Sequence, residues 1–265
     1  MDDDHLISPT RSETVLELRE IGLDIRGKAL FEGLSARFAR GELTLILGAT
    51  GSGKSRLAGL LAGAVAPDRG EMVVQGRVSP VIGQNAGLGE TATLERDLGL
   101  RAAAYGLDTR AYAEGVARLV GAPGILRRSF DLASATEKSL ISRASALLIP
   151  ASVYLSDNAA LVPSQSQRMA PLLAARRRSA AMIWITGGLG SLLQGGADRY
   201  LVLAGGRLLP CRDPLDLLDI YEAHGGTVAP SIRRAMEAQY KPPAAEDPEQ
   251  EEDRGDSPKE TPEPA

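Results

Sequence analysis

The chain has 265 residues, of which 43% are hydrophobic, and it carries a formal net charge of −4. That length is enough for one large domain or two small ones, and the hydrophobic content is high enough to form a substantial core. The single cysteine, Cys211, excludes an internal disulfide and a cysteine-based metal cluster, which fits a reducing compartment. No apolar run reaches the ~18 residues of a membrane span, and the acidic start of the chain leads us to expect no signal peptide.

The charge is unevenly distributed along the chain. Residues 241–265 contain nine acidic and three basic side chains, which gives this segment a net charge of −6 and leaves the remainder near +2. Because the segment is rich in Pro and Glu and poor in apolar residues, we predict that it is disordered, as are residues 1–12. A solvated tail without a partner is the simplest interpretation.

Apolar periodicity predicts the elements in chain order. Residues 14–40 alternate apolar and polar positions, which predicts two or three short antiparallel strands. The elements expected after them are a strand at 43–47, a helix at 57–62, a strand at 71–76, helices at 94–106, 109–121 and 136–148, a strand at 153–157, a helix at 165–178, a strand at 181–186, a hairpin at 199–209 and helices at 213–223 and 229–239. This order indicates an α/β fold with a mixed sheet, an N-terminal antiparallel β subdomain and a helical subdomain inserted at about 94–148.

One stretch after the third predicted strand matches the phosphate-binding pattern G-x-x-x-x-G-K-[ST] at every defined position. Its residues are Gly48, Ala49, Thr50, Gly51, Ser52, Gly53, Lys54 and Ser55. A strand precedes it and a helix follows it, as the motif requires. The glycines let backbone N–H groups surround a phosphate, Lys54 would neutralise the β- and γ-phosphates, and the Ser55 hydroxyl would bind Mg²⁺. The stretch therefore predicts a site for ATP and Mg²⁺.

A phosphate-loop site needs an acidic residue at the end of a neighbouring strand to complete the binding of Mg²⁺. Asp157 directly follows the apolar run 153–156 and comes 103 residues after Lys54, so it is the candidate for this role. The alternative is an aspartate that caps a helix or forms a turn.

These motifs, in this order, resemble the ATP-binding subunit of an ABC transporter over residues 14–222. Gln84 follows Lys54 by 30 residues and is similar to the glutamine of that family's Q-loop. The resemblance implies that Gln84 contacts the metal and relays to a membrane partner; taken alone, it would be an exposed loop glutamine. Short matches at 78–83, 104–107, 129–132 and 186–192 are similar to the capsule and polysaccharide export subgroup.

The resemblance also implies a domain organisation and partners. Residues 13–225 would form an ABC-type P-loop NTPase domain, and residues 226–240 a C-terminal helix. The expected partners are a polytopic membrane permease, contacted through residues 84–98, and a second ATP-binding subunit in a homodimer or heterodimer. The chain would be cytoplasmic and peripheral to the inner membrane.

Several other residues have simpler interpretations. The three arginines at 176–178 end a predicted helix, where cations favour the helix dipole, so we expect a solvated face and no nucleic acid partner. Trp184 lies inside a predicted strand and is expected in the core. Cys211 is expected in a turn after Pro210, without a catalytic partner.

The chain departs from the family's pattern around the γ-phosphate. The catalytic glutamate is replaced by Asn158, the switch histidine by Gly187, and the adenine-stacking aromatic residue by Ile25. An amide cannot take a proton from water, and a general base typically contributes about 10²–10⁴ in rate. No histidine is in register, because the chain has only His5 and His224.

The signature segment that caps a partner's ATP in this family is also altered. Ser134 is retained, but Thr136 stands at a glycine position and Glu137 places a carboxylate beside a γ-phosphate site. Ser134 and Glu137 equally match a plain helix capping box.

We therefore hypothesise ATP binding with weak or lost hydrolysis in a transporter subunit. The alternative is an ATP-dependent scaffold or regulatory subunit of the same export assembly that does not hydrolyse ATP. A phosphotransferase acting on a small molecule is a weaker third class, because the helical block offers no obvious acceptor-binding base.

Overall fold

The computed structural model describes residues 13–85, 87–158, 167–190 and 196–240. Its strands are β1 (Thr14–Ile25), β2 (Lys28–Ala39), β3 (Leu43–Gly48), β4 (Arg69–Val74), β5 (Val153–Asp157), β6 (Ala181–Thr186), β7 (Arg199–Ala204) and β8 (Arg207–Cys211). Its helices are α1 (Lys54–Leu61), α2 (Leu94–Ala104), α3 (Thr109–Val120), α4 (Ala135–Leu148), α5 (Ala170–Ser179), α6 (Pro214–Ala223) and α7 (Pro230–Tyr240). The segments 1–12 and 241–265, for which we predicted disorder, lie outside the described residues.

An antiparallel sheet of three strands, in the order β2-β1-β4, forms the N-terminal subdomain. Residues 14–39 form two antiparallel strands, which agrees with the predicted two or three, but each strand is 12 residues long and not short. The pairing of β1 with β2 shifts register several times between Leu18 and Asp24. Bulges of this kind bend a strand and interrupt its alternation, which is why the sequence suggested shorter pieces.

The second sheet has five strands in the order β5-β6-β3-β7-β8, and only β8 runs antiparallel to its neighbour. The carboxyl ends of β3, β5 and β6 therefore meet at one edge, where ligands bind in open α/β sheets. Leu47 pairs with Thr186, and Asp157 pairs with Ile185. Strand β6 thus lies between the phosphate loop and Asp157, whereas we expected Asp157 on the strand next to the loop.

Three hydrophobic clusters hold these layers together. Alternate residues of β3 face opposite sides: Ile46 packs towards the antiparallel sheet and α1, and Leu45 and Leu47 pack towards Trp184 and helices α6 and α7. Trp184 is 1% exposed, so the prediction that it lies in the core is confirmed. The third cluster is formed by α2, α3 and α4 and gives the inserted helical subdomain its own core.

The predicted fold class is confirmed: a mixed α/β fold with an antiparallel β subdomain and an inserted helical subdomain. Helix α5 begins at Ala170, later than predicted; residues 165 and 166 lie outside the described part of the chain. The helix expected within 226–240 occupies Pro230–Tyr240. No helix in the described ranges is long and apolar enough to cross a bilayer.

Two simpler interpretations need correction. Arg176 is not a purely solvated cation, because its guanidinium donates to the Leu147 carbonyl at 2.9 Å and lies 5.8 Å from the centre of the Tyr154 ring. Cys211 ends strand β8 and does not lie in a turn. Burial is the main cause that raises the pKa of its thiol to about 12, so it is a poor nucleophile.

Candidate nucleotide-binding site

The phosphate-binding stretch connects the end of β3 to the start of α1. Gly53 precedes the helix with a left-handed φ of 98°, and no side chain caps the first turn of the helix. The first backbone N–H groups of α1 therefore have no capping side chain and are available to an anion, and the helix dipole favours negative charge there.

Close packing explains why two of the loop positions are glycine. A Cβ on Gly48 would overlap Ser52 Oγ and would lie 3.2 Å from Lys54 Cγ. A Cβ on Gly53 would lie 3.1 Å from the ring of Phe31, in a backbone conformation that L side chains rarely adopt. The loop thus folds back tightly on itself, as a phosphate cradle must.

Lys54 points into this loop. Its Nζ donates to the carbonyl oxygens of Gly48 at 2.9 Å and Ala49 at 2.8 Å. Burial lowers the pKa of Lys54 from its usual value, and the negative charge of Asp157 partly opposes that shift. The ammonium group is therefore partly desolvated beside neutral acceptors, where a phosphate would be a stronger partner.

Gln84 and Asp157 lie side by side although 73 residues separate them. The segment before Gln84 runs along β5, with backbone bridges that join Val78 to Val153 and Ile82 to Ser156. Gln84 Nε2 donates to Asp157 Oδ2 at 2.9 Å, and Asp157 is 8% exposed. The structure therefore brings the two expected metal-site residues together at the carboxyl edge of the sheet.

Asn158 connects Asp157 to Gly187 through two hydrogen bonds. Its Nδ2 donates to Asp157 Oδ1 at 3.1 Å, and its Oδ1 accepts the backbone N–H of Gly187 at 3.1 Å. Its own backbone is left-handed, with φ 55°, and its N–H donates to the Ile185 carbonyl at 2.8 Å. Asparagine tolerates this conformation better than most residues, since its short amide can bond locally.

Gly187 lies against the phosphate loop. A Cβ on this residue would be 3.3 Å from Lys54 Cε and 3.5 Å from both Lys54 Nζ and the Gly48 carbonyl oxygen. A side chain here would reach into the loop, so glycine leaves that space open. The sequence located Asn158 and Gly187, but it could not show the hydrogen bond that joins them.

The signature segment forms a capping box at the start of α4. Ser134 Oγ accepts the N–H of Glu137 at 3.2 Å, and Glu137 Oε2 accepts the N–H of Ser134 at 2.8 Å. This hydrogen bond from the Ser134 backbone is the main cause that lowers the pKa of Glu137. The capping-box alternative is confirmed, and the Ser134 hydroxyl is engaged within its own helix.

Sequence reasoning missed the residues that support Gln84 from the helical subdomain. Ser142 on α4 accepts the N–H of Gly83 at 3.1 Å and donates to the Gln84 carbonyl at 3.2 Å. Arg101 on α2 donates to the Asn85 carbonyl at 3.1 Å. No local motif marks Ser142 or Arg101; only the folded arrangement of the helices reveals them.

Ile25 stands where the resemblance implies an adenine-stacking residue. Ile25 ends β1 and pairs with Lys28 at the tip of the first hairpin. The side chain of Leu30 lies next to Gly53, where an added Cβ would be 3.2 Å from Leu30 Cδ1. Leu30 is thus an apolar residue beside the loop that the sequence did not single out.

The side chains present fit a magnesium ion bound together with nucleotide phosphates. Ser55 exposes its hydroxyl, and Asp157 and Gln84 supply the hard oxygen atoms that Mg²⁺ prefers. Within the described ranges, no group of three or more His, Cys, Asp or Glu residues could hold a metal ion. A bound ion would be shared between a few side chains and the phosphates, as is usual for Mg²⁺.

The tight loop before α1 and the carboxylate at the same sheet edge define a P-loop nucleotide-binding domain with a helical insertion. Residues 31–161 match the family model described as ABC transporter. Residues 31–161 thus correspond to an ABC transporter ATP-binding domain.

Known proteins agree with this assignment. The chain is 31% identical to the ABC transporter ATP-binding protein RamB of Streptomyces coelicolor over 223 residues, which cover 74% of this chain and 35% of that protein. The chain thus spans about a third of this relative's length.

Two solved structures share the fold. An ATP-binding subunit of an ABC transporter superposes with a TM-score of 0.64 at 21% identity, covering 81% of this chain and 96% of that one. The cbiO1 protein of Clostridium perfringens, part of the ABC transporter complex cbiONQ, superposes with a TM-score of 0.57 at 19% identity. The superposition covers 74% of this chain and 87% of that one.

Proposed function

We propose that the chain is the ATP-binding subunit of a polysaccharide-export-type ABC transporter, and that it binds Mg-ATP with weak or lost hydrolysis. The observation that carries ATP binding is Lys54, whose ammonium group is held inside a glycine loop at an uncapped helix start. The loop N–H groups and Lys54 would hold the phosphates, and Ser55, Asp157 and Gln84 would hold Mg²⁺, which would neutralise phosphate charge.

The geometry around Asp157 supports the weakness of hydrolysis. Asn158 stands where the family has its catalytic carboxylate, and its amide oxygen already accepts the N–H of Gly187. A neutral amide cannot remove a proton from an attacking water. Gly187 has no side chain that could contact a γ-phosphate.

A groove between α1, the Gln84 loop and α2 supports a membrane partner. It encloses about 490 Å³ and is lined by Val78, Pro80, Gly87, Leu100 and Tyr105, among others. Leu100, which is 60% exposed, adds apolar surface to this groove. We infer that a polytopic permease docks here, which would hold the chain at the cytoplasmic face of the inner membrane.

The choice of substrate rests on sequence alone. The short matches at 78–83, 104–107, 129–132 and 186–192 support polysaccharide export; residues 191 and 192 lie outside the described part of the chain. The second candidate, a non-hydrolysing scaffold in the same assembly, is favoured by the hydrogen bonds that tie Asn158 to Asp157 and Gly187.

Binding and turnover measured on one sample test this proposal. We expect the purified chain to bind ATP and to show little steady-state hydrolysis, and we expect Lys54→Ala to abolish binding. Arg110→Ala is the matched control, because it also removes a cation but lies on an exposed face of α3 with its side chain 87% exposed. ATP turnover at the level of an ordinary transporter subunit, about 1 s⁻¹ or more, would contradict lost hydrolysis.

A further inference from the structure

We propose that Asn158 makes this nucleotide site nearly independent of metal, so that ATP binds almost as well without Mg²⁺ as with it. The inference rests on the proposed ATP binding and concerns how the same site is regulated. It rests on the hydrogen bond that the Asn158 amide donates to Asp157, the carboxylate expected to bind the metal.

The orientation of the Asn158 amide is fixed by its two partners. Asp157 Oδ1 can only accept, so it must face the Nδ2 donor at 3.1 Å. The backbone N–H of Gly187 can only donate, so it must face Oδ1, also at 3.1 Å. If the amide were flipped, its oxygen would face the Asp157 carboxylate and its NH₂ group would face the Gly187 N–H. Both hydrogen bonds would then be lost.

The backbone of Asn158 keeps the amide in this place. Its N–H is bound to the Ile185 carbonyl, and its φ of 55° directs the chain out of β5 at the sheet edge. Gln84 differs, because its side chain is longer and its amide makes one described hydrogen bond, to Asp157. Gln84 can rotate and present its oxygen to a cation, whereas Asn158 cannot do so without losing two bonds.

Asp157 consequently keeps one oxygen, Oδ2, that a cation can reach once Gln84 rotates, whereas Oδ1 stays paired with Asn158. Each of its oxygens faces an amide donor, Gln84 Nε2 at 2.9 Å and Asn158 Nδ2 at 3.1 Å. A cation that approaches Oδ1 would meet the positively polarised NH₂ group of Asn158. That repulsion reduces the gain in ATP affinity that Mg²⁺ can provide. The phosphates retain Lys54 and the loop N–H groups, which need no metal.

Asn158→Asp and Asn158→Gly separate the effect of the amide from that of added charge. Asn158→Asp is isosteric and still accepts the Gly187 N–H, but it replaces the donor with a second negative charge. Asn158→Gly removes the donor without adding charge, and glycine adopts the left-handed backbone freely.

The experiment measures the Kd for ATP of the full chain with excess Mg²⁺ and with EDTA. For the unaltered chain we expect the two values to agree within about threefold, a difference well under the ~1.4 kcal/mol that corresponds to tenfold. We expect the metal to tighten binding by about tenfold or more in Asn158→Asp, because Asp157 is freed and charge is added. Asn158→Gly should lie between these values.

The outcomes distinguish this inference from the proposed function. The inference is wrong, although ATP binding stands, if the unaltered chain binds ATP only with Mg²⁺. It is also wrong if Asn158→Gly and Asn158→Asp show the same ratio of Kd values with EDTA and with Mg²⁺ as the unaltered chain. If the unaltered chain binds no ATP under either condition, or if Lys54→Ala binds as well as the unaltered chain, the proposed function itself fails. Circular dichroism of each variant establishes that it is folded.

Discussion

In the proposed site, phosphate binding depends most on the charge of Lys54, and that charge is sensitive to pH. Burial lowers the pKa of Lys54 in the folded chain below that of a free lysine. The protonated form is the one that attracts phosphate, and it is lost as the pH rises through this lowered pKa. We therefore expect the affinity for ATP to fall in the alkaline range, at a lower pH than an ordinary lysine would give, and titration of Kd against pH measures it.

Lys54→Arg provides the comparison for that pH profile. Arginine stays charged throughout the range, so any ATP affinity that Lys54→Arg retains should not change with alkaline pH. A pH profile that is the same for the unaltered chain and for Lys54→Arg would show that another group controls the affinity.

The residue scale also shows which parts of the site a sequence can reveal. The phosphate loop was predictable because its four defined positions fall within eight consecutive residues and each has its own steric or chemical requirement. Gln84 and Asp157 could be named only through their order after the loop. Ser142, which supports Gln84 from α4, carries no signal in the sequence, because its role depends on how two subdomains pack.

At the scale of elements, the start of α4 is held by a capping box whose residues would also belong to the proposed signature segment. The capping box uses Ser134 and Glu137 to satisfy backbone N–H groups of the first turn. We expect Ser134→Ala to lower the free energy of unfolding by about 1 kcal/mol, as is typical for the loss of an N-cap. Urea denaturation followed by circular dichroism measures this change.

Ser139→Ala is the matched control for the cap. Ser139 lies on the exposed side of the same helix, away from its first turn, so its replacement should change the free energy of unfolding by no more than about 0.5 kcal/mol. Equal effects of Ser134→Ala and Ser139→Ala would mean that the capping box contributes nothing to stability.

Elements with a regular apolar pattern were predicted well, and irregular ones were not. Strand β6 occupies the six residues 181–186 that the sequence indicated, because all of them are buried on both faces of the sheet. The antiparallel strands of the first hairpin were predicted, but their length was not, because bulges break the alternation. Arg176 was misjudged because its partners, the last carbonyls of α4, come together only in the fold.

At the scale of the whole molecule, the positions at which we propose that the chain departs from its family separate into two groups that lie on different elements. Asn158 and Gly187 stand at the carboxyl ends of β5 and β6, beside the chain's own phosphate loop. Thr136 and Glu137 lie at the start of α4 in the helical subdomain. In a head-to-tail dimer, the first group would weaken the site on this chain's own loop, and the second group would weaken the site on a partner's loop.

This separation predicts complementation between two inactive variants. The first variant, Asn158→Glu with Gly187→His, repairs the loop side; a Cβ at position 187 would lie 3.3 Å from the flexible end of Lys54, so a side chain fits after a small shift. The second, Thr136→Gly with Glu137→Gln, repairs the signature side, and glutamine can still serve the capping box.

Each homodimer keeps one defect at both sites, whereas a mixed dimer has one complete site. We expect steady-state ATP hydrolysis in the mixture to exceed the sum of the separate variants at least about tenfold, since a general base alone contributes about 10²–10⁴. Strictly additive rates, with mixed dimers demonstrated by differently tagged chains, would rule out the head-to-tail arrangement.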